Sequence, residues 1–427
     1  MRLLLITYYF PPCGGASVQR WLKWLPDLVQ RGFEVTVLTT RSGDYPYLDD
    51  SLLAEIPPEV KVLRSHAPSS GKIWKLLMGR NSSLPHGNLG SMKNAGLRHK
   101  IIVWLRLNLV IPDLRKAWNP SAYKTAVEHL RHNPTDIVIT TGPPHSTHLL
   151  GLKLKQRHKL RWVADWRDPW TSIYYLKLNP PSALSMRIHR HLERKVALGA
   201  DLNTVVSEYL AKQLPSVNSS VVYNGFDARK FDSLRDQTFG NENGTTFRLK
   251  YVGNITEGQE IGLLIRMIAE ALQGERYQLV FIGTRLSDEQ RELLRDLMPG
   301  SHLARDFVPH QEALAEMVDS EVLLLLINYY EGSEGMLTTK LFEYLASGTK
   351  IFCLGPKGGE AEKLILGYDA GAFLDAEDTK NGQDYLRKLF KAWERKEDIE
   401  NHRDVSALSS QNQALKLIKQ LEGIKRG

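Results

Sequence analysis

The 427 residues, 42% hydrophobic and 24% charged, are those of a globular chain too long for one ordinary core, so two or three domains are expected. Its two cysteines, Cys13 and Cys353, exclude a disulfide framework and a cysteine metal site, and no apolar run approaches the roughly 18 residues of a spanning helix. The net charge of +8 divides unevenly: residues 1–200 hold 29 Lys and Arg against 13 Asp and Glu, whereas the remainder is net acidic, so two bodies with different partners are expected.

The opening MRLLLITYYFPP meets prolines too soon for a signal peptide and reads as a first strand, Leu3–Tyr8. With so few cysteines, a reducing cytoplasmic setting is expected. A helix from about Ala16 to Gln30 and a strand Glu34–Thr39 follow. Residues 93–118 place basic residues around Ile101–Leu105. That arrangement suits either a helix lying in an anionic membrane interface or a core helix with a solvated basic face. Further on come strand Ile137–Thr141, helix His148–Gln156, strand Arg161–Ala164, and strands at Leu202–Val206 and Val221–Tyr223. Strand–helix alternation of this kind predicts a parallel sheet covered on both faces.

The polar stretch 232–246, rich in Asn, Gly and Thr, is the expected linker. The pattern then restarts with strand Phe247–Val252, helix Glu260–Leu272, strand Tyr277–Ile282 and helix Asp288–Leu297. A strand near Ala304–Phe307, helix Gln311–Val318 and strand Glu321–Leu326 complete it. The fold class expected is therefore α/β, with two Rossmann-like doubly wound domains facing a central cleft. Residues 1–231 form one, 247–399 the other, and the C-terminal helix, about 400–427, joins the first.

Ligands of such sheets bind beyond the C-terminal ends of the strands. Phe10-Pro11-Pro12-Cys13-Gly14-Gly15 is a strand-to-helix loop there, where Gly14 and Gly15 allow close backbone approach to a ligand or simply make a turn. GPPHS brings His145 to a sheet edge, as a proton-transfer group or a helix cap. In VADWRDPW, Asp165 reads as substrate-side, while Arg167 and Asp168 equally suit an ion pair tying down a loop. Gly253 and Asn254, Arg285, and His310 close later strands or open helices. The richest segment is EGSEGMLTTKLFEYLASG, residues 331–348. A turn bearing Gly332, Ser333 and Gly335 leads into a helix with Leu341 and Leu345 on one face and Lys340 and Glu343 on another, and Gly348 is placed as a left-handed C-cap. A loop of backbone N–H groups feeding a helix N-terminus is an anion site.

These motifs in their order, with YNGFD at 223–227, resemble the family-4 glycosyltransferases of GT-B fold, in particular a bacterial branch that builds surface polysaccharides. The resemblance implies a retaining, metal-independent hexosyltransferase that needs no cofactor beyond a nucleotide-diphosphate sugar as co-substrate. It implies a glycan or lipid-linked acceptor, no nucleic-acid partner, and a cytoplasmic protein peripheral to the inner face of the cell membrane. Glu343 takes the place of the glutamate that accepts the ribose hydroxyls. Backbone around Ser333, Gly335, Met336 and Leu337 holds the diphosphate, and Gly14 and Gly15 close on the donor. His145, Asp165 and Glu334 are the expected catalytic residues. Gly253, Asn254, Arg285, His310 and Lys340 complete the donor set, and no metal ligands are expected. The chain departs from the family at Gly335, where a first glutamate is usual. It also departs at Asn254 and Gln259, where an Arg and a Lys usually clamp the diphosphate, and Glu334, Arg285 and Lys340 are the substitutes at hand. A GT-B nucleotide-sugar epimerase and a non-catalytic sugar-nucleotide-binding protein are the alternatives.

Overall fold

The computed structural model describes all residues except 70–96, 217, 236–245, 257, 398–402 and 427. The chain divides into two units, Met1–Asn224 with Ser410–Gly427, and Gly225–Ser409. In unit 1 the elements run β1 (Arg2–Ile6), α1 (Ala16–Gln30), β2 (Glu34–Thr40), β3 (Lys61–Ser65), α2 (Leu97–Leu109), α3 (Asn119–His132), β4 (Ile137–Gly142) and α4 (Ser146–His158). There follow β5 (Arg161–Trp166), α5 (Tyr174–Leu178), α6 (Ala183–Gly199), β6 (Leu202–Val205), α7 (Glu208–Gln213) and β7 (Ser219–Val221). All strands pair in parallel, in the order β3-β2-β1-β4-β5-β6-β7.

Unit 2 repeats the plan. It runs α8 (Ala228–Arg235), β8 (Phe247–Val252), α9 (Ile261–Ala271), β9 (Tyr277–Ile282), α10 (Asp288–Leu297), β10 (His302–Arg305), α11 (His310–Val318) and β11 (Val322–Leu326). Then come α12 (Thr339–Ser347), β12 (Lys350–Leu354), α13 (Glu360–Gly367), β13 (Gly371–Leu374) and α14 (Thr379–Glu394). Its parallel sheet has the order β10-β9-β8-β11-β12-β13. The last helix, α15 (Ser410–Arg426), belongs to unit 1: Ala414, Leu417, Ile418 and Leu421 bury against Trp21, Trp24, Leu25 and Leu28 of α1.

Both sheets are covered on two sides, which explains the near-continuous apolar runs of their strands. In β1, Leu4 and Ile6 enter one core while Leu3 and Leu5 enter the other. The division at Asn224 precedes residue 231 because Phe226, Phe231 and Leu234 are buried and α8 packs on α11 and α12. Most of the linker read at 232–246 lies outside the described residues. The strand expected at Ala304–Phe307 is His302–Arg305, and Phe307 is largely exposed. Among the described residues no helix is long and apolar enough to cross a membrane.

Strand order reverses between β1 and β4 in unit 1 and between β8 and β11 in unit 2. Loops leaving those four strands meet at the switch points, where ligands of doubly wound sheets bind.

Candidate active site

In unit 1 the loop after β1 ends in Gly15, whose φ of 98° at the N-cap of α1 suits only glycine. Gly14 lies under Tyr47, and a Cβ there would come within 2.1 Å of its ring. Arg167 ties this loop to its neighbours. Its guanidinium donates to the Ser17 carbonyl and, at 2.5 Å, to the Pro143 carbonyl, while its backbone N–H donates to the Gly142 carbonyl at 2.9 Å. One arginine thus binds together the β1, β4 and β5 loops.

His145 sits at the N-cap position of α4 but makes no side-chain cap. Asp113 caps that helix instead, accepting from the Ser146 N–H at 2.9 Å and its hydroxyl at 2.8 Å. The imidazole is therefore left for other work. It stacks on Trp170, with centroids 5.2 Å apart and planes within 5°. It is buried, with one side toward the Pro169 carbonyl, and neither ring nitrogen makes a hydrogen bond of ordinary geometry. Burial, and after it the neighbouring His148, holds its pKa well below the usual histidine value, so the ring is neutral at pH 7. It lines a cavity of about 630 Å³ with Tyr47, Arg115, Asp168, Trp170 and Tyr174.

His148 is fixed by the core. The Trp162 indole donates to the Thr140 hydroxyl at 2.9 Å, and that hydroxyl meets His148 Nδ1 at 2.9 Å. Burial pushes the His148 pKa down to about 3.

Asp165 is not substrate-side. It is fully buried, and its oxygens accept five hydrogen bonds. Arg20 Nε and Nη2 lie at 3.2 and 3.0 Å, the Thr204 hydroxyl at 2.7 Å, the Trp21 indole at 2.9 Å and the Thr141 hydroxyl at 2.8 Å. Burial pushes its pKa up, but Arg20 and the threonine hydroxyls outweigh burial and hold the carboxyl below its usual range. A carboxylate so saturated has no lone pair left for a sugar. Arg20, which supplies its counter-charge, was not singled out from the sequence. An arginine one residue from Trp21 and four before Trp24 on an apolar helix face was the available signal.

In unit 2, β8 is followed by Gly253, which has a φ of 107°. A Cβ there would stand 3.4 Å from Lys340 Nζ. Lys340 donates to the Tyr251 hydroxyl at 3.1 Å and lies 4.3 Å above that ring, and the hydroxyl in turn donates to the Asn254 carbonyl at 3.0 Å. Burial lowers the Lys340 pKa to about 8, against the opposing pull of Glu343. Gln259, standing where a clamp lysine is usual, instead bonds the Leu326 carbonyl and the Thr256 N–H, a structural tie. Arg285 is exposed on the loop after β9.

The loop after β11 turns at Gly332, with a φ of 94°, into a single turn over Ser333–Gly335, with Met336 bonded back to the Ser333 carbonyl. Leu337 and Thr338 follow, and α12 begins without a side-chain cap. The Ser333 and Thr338 hydroxyls and one Glu334 carboxylate oxygen are buried without hydrogen-bond partners. Glu343 is buried on α12, one turn beyond Lys340, and its Oε1 is 3.0 Å from His310 Nε2. The structure thus gathers Gly253, Asn254 and Lys340 in one cluster and pairs His310 with Glu343, while Asp165 stands apart from any site.

Residues 15–224 match the family model of the glycosyl transferase 4-like domain. None of the curated protein sequences compared matches the chain. Sucrose-phosphate synthase from Thermosynechococcus elongatus has a similar structure, with a TM-score of 0.61 at 15% identity, covering 99% of this chain and 98% of that one. Anabaena HepE in complex with UDP and glucose aligns with a TM-score of 0.59 at 13% identity, over 99% of this chain and 100% of its own. The lipopolysaccharide outer core galactosyltransferase WaaB aligns with a TM-score of 0.57 at 14% identity, over 98% and 100%. The two doubly wound units are the GT-B fold, and residues 15–224 carry the glycosyl transferase 4-like domain.

Proposed function

We propose that the protein is a retaining glycosyltransferase, moving a sugar from a nucleotide-diphosphate sugar to a hydroxyl of a glycan or lipid-linked acceptor in polysaccharide or glycolipid biosynthesis at the inner face of the cell membrane. The observation that carries this reading is on unit 2: an uncapped helix N-terminus, two unpartnered buried hydroxyls at Ser333 and Thr338, and the Lys340 ammonium. Helix N-termini, hydroxyls and cations are the groups that hold a diphosphate. Glu343, one turn on, is suited to accept ribose hydroxyls, with His310 orienting it. HepE, of the same fold, is described in complex with UDP and with UDP-glucose, which supports a nucleoside diphosphate sugar as donor.

Unit 1 takes the acceptor in this proposal. Its cavity joins a neutral imidazole to aromatic faces and the Arg115 guanidinium, a lining suited to a sugar or a phosphate-bearing glycan. The acceptor oxygen bonds to C1 as the C1–O bond to the diphosphate breaks on the same face, and the acceptor proton passes to the departing phosphate oxygen. Lys340 and the helix N-terminus meet the charge that develops on the diphosphate, so this chemistry needs no metal. His145 orients the sugar by hydrogen bonding.

Screening UDP-, GDP- and dTDP-sugars for thermal stabilisation identifies the donor, since a ligand bound only by the folded state raises the melting temperature. Turnover with lipid-linked and free glycan acceptors then tests the reaction. Stabilisation by one donor with anomer-retaining transfer is expected. Release or inversion of the sugar without acceptor would replace the proposal by an epimerase, and stabilisation by none would overturn it.

A further inference from the structure

Arg115 is carried on a single helical turn, Leu114–Trp118, between α2 and α3. Trp118, three residues on, anchors that turn. Its indole donates to the Ser65 hydroxyl at 2.8 Å, and its ring meets Tyr8 edge-on with centroids 5.6 Å apart. Asp113 caps the turn by accepting from the Arg115 backbone N–H at 2.9 Å, and its oxygens also take the Ser146 N–H and hydroxyl. Arg115 is therefore placed through its backbone and its neighbours, not through a carboxylate on its guanidinium.

Only 8% of Arg115 is exposed, and it lines the unit 1 cavity. Its Nε is buried without a hydrogen-bond partner, and its guanidinium makes no ion pair among the described residues. Asp113 and Asp44 act on it only from beyond ion-pair distance. Arg20 shows the contrast: equally buried, it is matched by the Asp165 carboxylate at 3.0 Å. Taking a guanidinium out of water is costly unless an anion meets it. A buried, unpaired arginine in a cavity wall is thus suited to an anionic ligand.

Two more groups in the same wall are uncommitted. Tyr47 is 55% exposed, yet its backbone is fixed: its carbonyl accepts from the Gly14 N–H at 3.1 Å, and the Asp49 N–H donates to the Pro12 carbonyl at 2.8 Å. Its ring covers Gly14 and still lines the cavity. The Asp168 carboxyl makes no hydrogen bond or ion pair among the described residues, because Arg167 beside it is turned to the Ser17 and Pro143 carbonyls. An aromatic face, a hydroxyl acceptor and a buried guanidinium match the ring, the hydroxyls and the acid group of an acidic sugar. With Asp113 and Asp168 in the same wall, one negative charge suits this cavity better than the nearly two of a phosphate ester. We infer that the acceptor bound here is a sugar bearing a carboxylate, its acid group read by Arg115, its hydroxyls by Asp168 and its ring by Tyr47. This rests on the assignment of the acceptor to unit 1 and makes Arg115 the residue that sets acceptor specificity.

Calorimetry on the full chain without donor tests this, so the result is read apart from turnover and from the donor's identity. The probes are the methyl glycosides of glucuronic and galacturonic acid, those of glucose and galactose, and glucose 6-phosphate. One of the two acids should bind at least about tenfold more tightly than its neutral counterpart, the scale of a charge-assisted hydrogen-bond pair. Arg115→Gln should bring that acid down to the affinity of the neutral sugar and leave the neutral sugar unchanged, whereas loss of a merely structural arginine would weaken both alike. Arg115→Lys, which keeps the charge without the planar fork, should fall between. If Arg115→Gln proves unstable, the wild-type comparison still decides, and Tyr47→Ser, at an exposed position, should weaken acid and neutral sugars equally. Equal binding of acid and neutral sugars by the wild type, or binding of none, would overturn the inference. Tighter binding of glucose 6-phosphate than of either acid would overturn it in favour of a phosphate. Binding of the acid in a protein that no donor stabilises would keep this site and remove the transferase reading.

Discussion

Lys340 is held over the Tyr251 ring at 4.3 Å, with its ammonium donating to the Tyr251 hydroxyl at 3.1 Å, a cation kept in place by an aromatic face under the N-terminus of α12. Its pKa, pushed down to about 8 by burial, makes it a partner that a bound anion will recharge. Donor affinity should be full near pH 7 and fall as pH rises through about 8, whereas a Lys340→Gln variant should bind at least about tenfold more weakly with a flat profile. Calorimetry across that range checks it; parallel profiles in the two proteins would remove Lys340 from the donor site. Stability of the ligand-free protein should run the other way. Between about 8 and the ordinary lysine value near 10.4 the unfolded chain holds the proton that the native state has lost, so stability rises with pH there.

Glu343 and His310, 3.0 Å apart, are the second contact set proposed for the donor. Glu343→Ala should weaken donor binding by at least about tenfold, the scale of a lost charge-assisted hydrogen-bond pair. Glu343→Gln should fall between the two. His310→Ala, which frees the carboxylate without removing it, should cost less than either. Unchanged affinity in Glu343→Ala would sink the ribose assignment.

The alternation of buried strands with amphipathic helices was enough to read β8, β9, α1 and α10 to the residue, because their apolar periods are clean and bounded by glycine or polar turns. β3, with Lys61 and Arg64 interrupting its pattern, and the four-residue β13 carried too little apolar contrast to be seen. The Lys340 and Glu343 helix was legible through spacing alone. The tyrosine beneath Lys340, the Asp113 cap 33 residues from Ser146, and the Arg20 partner of Asp165 145 residues away were not, since only folding brings them together. Asp165 was misread for the same reason: a carboxylate among tryptophans at a strand end looks alike whether it faces a sugar or a buried arginine.

That pair supplies a prediction about stability. Asp165→Ala strands a buried guanidinium and should destabilise unit 1 by about 3–5 kcal/mol, whereas Arg20→Met combined with Asp165→Leu should recover most of it. Chemical denaturation of the three proteins measures this. If Asp165→Ala kept native stability but lost turnover, Asp165 would belong to the chemistry after all.

His145 supplies the last. Its imidazole is neutral and stacked on Trp170, so its contribution is a hydrogen bond rather than a charge. His145→Phe preserves the stack and the fill of the cavity wall while deleting both nitrogens. Turnover should fall by about 10²-fold, the usual scale for a lost general acid–base or positioning group, with donor affinity unchanged because the diphosphate and ribose contacts proposed above are all on unit 2. Because burial holds the pKa far below 6.5, wild-type turnover should show no inflection from this group between pH 6 and 8. A rate loss appearing near pH 6.5 and absent from His145→Phe would mean that the ring works as an imidazolium, and the neutral assignment would have to be abandoned.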